Sequence, residues 1–254
     1  TTPATHATPA AFGAHEFSRT YYNNIANDYL TQTRPDVIFG GGGYGLNPSN
    51  ATLAGYTVIL DRAGMQALTP PFTERVSGQF GLTNLPYEYD YVMGLDPGYT
   101  TLPHLSEMVS TALKLLENTP NGFFLMVEGG RIDHAGHAND IARNVFEVLE
   151  YDRAVEVAYT WAISRTDTLI IVTADHETGG LNVIANNGAG NFPTVDVPYR
   201  PDFLVDSAAA ADHRHHRCGR LQCARLFPAE VSRPGRGHLP DRRPASGRPR
   251  RLGL

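Results

Sequence analysis

Apolar residues come along this chain in two rhythms. Asp36–Phe39, Tyr56–Leu60, Phe123–Val127 and Thr168–Thr173 are short β-branched or aliphatic runs of about strand length. The first of them runs into Gly40–Gly43, which predicts a strand ending in a tight loop. From Pro103 to Asn118 the spacing turns helical, with Leu105, Met108, Val109, Ala112, Leu113, Leu115 and Leu116 on the apolar positions. Pro103 suits a first turn, and Pro120-Asn121-Gly122 closes the segment. A longer helix is predicted over Ala138–Ser164 from Ile141, Val145, Val148, Leu149, Val155, Ala158, Trp161 and Ala162. Buried strand, long helix and buried strand (Phe123–Val127, Ala138–Ser164, Thr168–Thr173) read as a βαβ crossover in a parallel sheet. Ligands bind outside the carboxyl ends of such strands, and both of these runs end in acidic and histidine residues.

Composition adds to this picture. With 254 residues and an apolar share of 41%, the chain can bury the core of one α/β domain or two small ones. No apolar run approaches the roughly 20 residues of a membrane span. Eleven Arg against five acidic residues give residues 201–254 a charge of +6, so the total of −5 leaves −11 for residues 1–200. So acidic a body argues against nucleic-acid binding unless bound cations reverse the local field. Two cysteines, Cys218 and Cys223, are too few for a disulfide framework. The start at Thr1-Thr2-Pro3 has neither an initiator Met nor the pattern of a signal peptide, so it leaves the compartment open.

The chemistry gathers in two clusters. Glu128-Gly129-Gly130-Arg131-Ile132-Asp133-His134-Ala135-Gly136-His137 starts at a predicted strand tip and opens the long helix. Asp133 and His137 lie four apart, on one face of a helical turn, a spacing that suits two ligands to one metal; Glu128 can face a second ion. Asp175-His176-Glu177-Thr178 follows the next strand tip. Asp and imidazole ligands without Cys suit zinc, whereas carboxylate and hydroxyl oxygens suit magnesium. Each motif alone is weak; two on adjacent strand tips are harder to dismiss, because so many acids together are costly without cations.

Val127–His137 (VEGGRIDHAGH) and Thr173–Gly180 (TADHETGG) closely resemble the two signature stretches of the alkaline phosphatases. His6-Ala7-Thr8-Pro9-Ala10 is similar to the family's magnesium-site stretch, Arg19 stands where the family places its phosphate-binding arginine, and PDVIFGGG and YTVILDRAG match framework segments. The likeness covers roughly residues 3–185. It implies a three-layer α/β/α sandwich with a mostly parallel central sheet, here incomplete. It also implies two Zn2+ and one Mg2+: Asp133 and His137 on the first zinc, Asp175 and His176 on the second, and Glu128, His6 and Thr8 on magnesium. Arg19 would clamp the phosphate bidentately, with His134 beside it. The implied activity is hydrolysis of phosphate monoesters through a phosphoserine, by an enzyme that is periplasmic or extracellular and a homodimer when complete.

The resemblance also marks what this chain lacks. The family's serine nucleophile lies upstream of the His6 position, and no early hydroxyl here has the matching Asp-Ser context, so no nucleophile is assigned and the chain by itself is expected to be inactive. Residues 1–200 thus read as a partial catalytic domain. Residues 201–254, rich in Arg, Pro and Gly, read as a disordered tail or an out-of-frame translation, with His215, His216 and His238 as alternative candidates for the first zinc's third ligand. Competing readings are another enzyme of the same superfamily (a sulfatase, phosphodiesterase or phosphomutase) and a non-catalytic metal-binding fragment. FGGGGYG lacks the Lys-Ser/Thr of a phosphate loop and reads as a turn beside the site, while His15 and His104 read as structural or surface residues.

Overall fold

A computed structural model describes residues 1–70 and 74–180, all within one compact unit that runs from Thr1 to Asp196. The expectations for residues 201–254, including His215, His216 and His238, lie outside the described residues. The elements in chain order are α1 (Ala7–Gly13), α2 (Tyr22–Asp28), β1 (Val37–Gly40), α3 (Pro48–Leu53), β2 (Tyr56–Ile59) and α4 (Arg62–Gln66). Then come β3 (Arg75–Gln79), α5 (Glu88–Val92), α6 (Leu105–Leu116), α7 (Arg131–His137) and α8 (Ile141–Ala162). No helix among the described residues is long and apolar enough to cross a membrane.

The three strands form a parallel sheet in the order β1-β3-β2, with Val37 opposite Val76 and Tyr56 opposite Arg75. The class is therefore α/β, as the alternation of strand and helix patterns predicts. The central strand β3 escapes a periodicity reading because Arg75-Val76-Ser77-Gly78-Gln79 is half polar. Buried in the sheet, its polar side chains satisfy each other: Gln79 Nε2 donates to Ser77 Oγ at 3.2 Å. One apolar cluster joins Val76, Phe80 and Met65 to Met108, Val109 and Leu113 of α6. A second joins Ile25 and Tyr29 to Ile38 and Tyr56. Each fully buried side chain of this kind is worth about 1.5–3 kcal/mol against exposure.

All seven predicted apolar positions of α6 are buried. Pro103 lies just outside that helix, and its start is instead closed by Glu107, whose carboxylate accepts from His104 N–H at 2.8 Å.

Three expectations are corrected. The long helix does not open at the Glu128 cluster. The chain breaks after His137, where Asn139 takes a φ of 53°, and α8 restarts at Asp140, whose carboxylate caps Arg143 N–H. Second, the N-terminal half of α8 buries Phe146, Glu147 and Glu150, while Ile141, Val145, Val148 and Leu149 face outward. Its orientation follows from where the two carboxylates are needed, as described below. Third, Phe123–Val127 and Thr168–Val172 form no strand and belong to no ladder among the described residues. A strand is held by backbone bonds to neighbours, and without them only the inward residues pack. Leu125 and Val127 touch the core beside α6 and α8, whereas Phe124, Leu169 and Ile171 are largely exposed. The expected crossover between these two runs is thus absent from the described sheet.

Candidate metal and phosphate site

The glycine run after β1 clasps the first residues of the chain. Gly41 N–H donates to Thr2 carbonyl at 2.9 Å and Ala4 N–H donates to Gly41 carbonyl at 3.2 Å. A Cβ at Gly41 would sit 1.5 Å from Thr83 carbonyl, so no other residue fits there. This clasp holds Thr2 over Glu128, whose carboxylate accepts from Thr2 Oγ1 at 3.4 Å. The loop is thereby tied through Thr2 to Glu128.

His6 caps the start of α1, with Thr8 as the helix's second residue. Arg19 Nη2 donates to His6 Nε2 at 3.2 Å, across thirteen residues of chain. The His6 ring meets His134 edge to face at 5.8 Å between centroids. Burial, then the Arg19 guanidinium, pushes His6 below the ordinary histidine range, with Glu128 and Asp133 acting the other way. Burial and then Arg131 lower His134 likewise. Both rings thus favour the neutral form near pH 7, in which each has one nitrogen that accepts and one that donates.

On α7, His137 Nε2 lies 3.5 Å from Asp133 Oδ1, one helical turn apart, with the side chains 72% and 38% exposed. In the second cluster His176 Nε2 lies 3.5 Å from Asp175 Oδ2, and those side chains are 58% and 68% exposed. The two clusters meet through Thr178, whose Oγ1 donates to Asp133 Oδ1 at 2.7 Å and lies 3.0 Å from His176 Nδ1. Their backbones touch as well. A Cβ on Gly179, where φ is +90°, would fall 2.3 Å from Gly136 carbonyl. The segments 128–137 and 173–180 are therefore neighbours, although the sheet does not bring them together as paired strand tips.

Two ligands on a tetrahedral zinc, with bonds of about 2.0–2.1 Å, stand about 3.3 Å apart. Each Asp/His pair already holds its N and O atoms 3.5 Å apart at an open surface. Each pair could thus offer two ligands to a zinc-like ion, and Glu128 with the Thr2 hydroxyl would suit a harder, oxygen-seeking cation.

Among the described residues, one group whose ligand atoms all lie within 4.8 Å of one another is a different one: Glu88, His104 and Glu150, all buried. Its members are already committed to the fold. Glu147 Oε1 accepts from Glu88 N–H at the start of α5 (2.9 Å), and Glu150 Oε1 accepts from Ser106 N–H in the first turn of α6 (2.8 Å). Arg153 pairs with Glu150 at 3.2 Å. His104 Nδ1 lies 2.9 and 3.0 Å from the two Glu88 oxygens, and its ring stacks on Tyr99 at 4.4 Å. Burial drives Glu88 up to about 8 and Glu147 up to about 7, and drives His104 down. Glu88 and His104 accordingly hold one proton between them. His104 is structural, one of the two roles its isolation predicts. The sequence signal for Glu147 and Glu150 was available: two acids one turn apart on a helix rich in apolar residues.

The alkaline phosphatase family model matches residues 1–213. Alkaline phosphatase 3 of Bacillus subtilis is 35% identical over 222 residues, which covers 82% of this chain and 46% of that protein. The alkaline phosphatase of Schizosaccharomyces pombe is 38% identical over 202 residues, covering 72% and 38%. The crystal structure of a cold-active alkaline phosphatase from a psychrophilic Shewanella superposes with a TM-score of 0.64 at 38% identity, over 74% of this chain and 45% of that one. A variant of the alkaline phosphatase from the Antarctic bacterium TAB5, with magnesium bound in its M3 site, gives a TM-score of 0.58 at 30% identity, over 71% and 51%. The chain belongs to the alkaline phosphatase family. It spans about half the length, or less, of these relatives.

Proposed function

We propose that this chain carries the metal-binding and phosphate-binding part of an enzyme that hydrolyses phosphate monoesters through a phosphoserine intermediate. The observation that carries the reading is Thr178 joining Asp133 to His176, which brings two acid–histidine pairs into one open site beside His6, Arg19 and Glu128. Asp133 with His137, and Asp175 with His176, would hold two Zn2+, and Glu128, His6 and Thr8 a Mg2+. Such ions, when bound, lower the pKa of a nucleophile or water and offset charge on the oxygens of the reacting phosphate. Thr178 orients Asp133 by donating to the oxygen that also faces His137. Arg19 is exposed apart from its bond to His6, so its guanidinium can turn its remaining N–H groups on a phosphate in a two-bond clamp. His134 stands beside it as a neutral donor. No residue of this chain is assigned as the nucleophile.

The test is turnover by the complete protein that contains this chain. Activity on p-nitrophenyl phosphate should exceed that on bis(p-nitrophenyl) phosphate and on p-nitrophenyl sulfate. It should vanish on dialysis against a chelator and return with Zn2+ and Mg2+. Equal or faster turnover of the diester or the sulfate would overturn the reading.

A further inference from the structure

We infer that Arg131 is a positioning residue that sets the tautomer of His134, and that Tyr87 braces it for that task. Arg131 opens α7, and its Nη1 lies 2.9 Å from His134 Nδ1. A guanidinium has only donors to offer and stays protonated, so Nδ1 must accept and the ring's hydrogen must sit on Nε2. The arginine stands there at a cost. Its Nε is buried without a hydrogen-bond partner, a cost of about 1–3 kcal/mol for a polar group.

What offsets that cost is the face of Tyr87, 3.6 Å from the guanidinium carbon to the ring centroid. The far end of the arrangement is tied down as well. Arg143 lies 5.0 Å from the same Tyr87 ring and is itself held by Asp90 at 3.0 Å and Asp140 at 2.9 Å. Arg131 N–H donates to Thr1 Oγ1 at 3.2 Å, which fixes the backbone at the helix start. The guanidinium is thus stacked rather than swinging, and one of its terminal nitrogens is aimed at one ring nitrogen.

The consequence rests on the phosphatase reading. His134 contacts His6, and His6 contacts Arg19, so His134 stands one ring away from the arginine proposed to bind phosphate, and a fixed Nε2–H gives it a donor to offer there. The opposite tautomer would turn a lone pair toward the anion. A neutral imidazole can present either face; Arg131 chooses the useful one.

Long-range proton–nitrogen NMR on the 254-residue chain, metal-free and at a pH where the ring is neutral, reads the tautomer directly. His134 is assigned by its loss in His134→Gln. The wild type should show a bare Nδ1 and a protonated Nε2. Arg131→Ala and Tyr87→Ala should both show averaged tautomers, whereas Tyr87→Phe, which keeps the ring face, should match the wild type. A wild-type hydrogen on Nδ1, or a single Nε2–H tautomer surviving in Arg131→Ala and Tyr87→Ala, overturns the inference. Circular dichroism on each variant separates tautomer loss from unfolding, and the two independent variants keep the test open if one of them misfolds. Inorganic phosphate affinity, measured with the metals supplied, should fall about tenfold in Arg131→Ala and hold in Tyr87→Phe. If the wild type binds no phosphate while the tautomer pattern holds, the phosphatase reading falls and the positioning role stands.

Discussion

Two acid–histidine clusters in this chain use the same side chains to opposite ends. Asp133, His137, Asp175 and His176 are 38–72% exposed and lean pairwise across 3.5 Å, with Thr178 bonded to one member of each pair, Asp133 and His176. Glu88, His104 and Glu150 are nearly sealed, and their carboxylates and ring are spent on helix starts, on Arg153 and on each other. By proximity alone the buried group looks more like a metal site. The difference lies in spare lone pairs. A carboxylate that accepts backbone N–H groups in a dry interior is part of the frame, and displacing it would orphan a helix terminus. One at an open surface can turn to a cation with little loss.

The comparison breaks most sharply on metal binding. Asp133→Ala and His137→Ala should each weaken zinc binding by more than about 100-fold, since loss of even an outer partner costs about 10–100-fold. Isothermal calorimetry on the chain reads this, and metal-free stability should move by less than about 0.5 kcal/mol. Zinc binding lost instead in Glu150→Ala at unchanged stability would invert the assignment.

Glu150→Ala should behave as a frame mutation. It strips Ser106 N–H of its acceptor and removes the Glu150–Arg153 ion pair, and should cost about 3 kcal/mol in urea unfolding. Thr178→Val sharpens the picture from the other side. It keeps every direct ligand but frees Asp133 and His176, so zinc affinity should drop about tenfold with little change in stability.

The smallest effect is on pH. Glu88 is raised from 4.5 to about 8 by burial, so the folded state holds its proton more tightly and stability is lost as pH rises from about 4.5 through about 8. His104, lowered from 6.5 by burial, works the other way below that value. Glu147, raised from 4.5 to about 7 by the same burial, adds to the loss, so the net decline runs up to about pH 8, with Glu88 alone setting its last part. Glu88→Gln should flatten it, by about 1–2 kcal/mol between pH 6 and pH 9 in denaturant titrations.

Several features could be read from the residues themselves. The helical spacing of α6 buried every apolar position it predicted, because that helix packs on one side only. β1 and β2 announced themselves through β-branched runs bounded by glycine or Asp. The acid–histidine motifs put Asp133 and His137 on one helical face, since i and i+4 coincide there whatever the rest of the chain does. The resemblance to the alkaline phosphatases, carried by VEGGRIDHAGH and TADHETGG, was legible as well.

Tertiary structure alone decided the rest. β3 is central though half polar, because its Ser77 and Gln79 satisfy each other inside the sheet. The first half of α8 turns Val145 and Val148 out and Glu147 and Glu150 in, because two helix starts needed acceptors more than the core needed methyl groups. Phe123–Val127 and Thr168–Val172 have strand composition without strand pairing among the described residues, since a ladder requires a neighbour that local sequence cannot supply. Thr178 and Arg131 lay in plain view inside the two motifs, yet their partners, Asp133 across 45 residues and Tyr87 across the fold, exist only once the chain has closed on itself. Local periodicity is a property of consecutive residues, whereas the satisfaction of a buried polar group depends on whatever distant group arrives beside it.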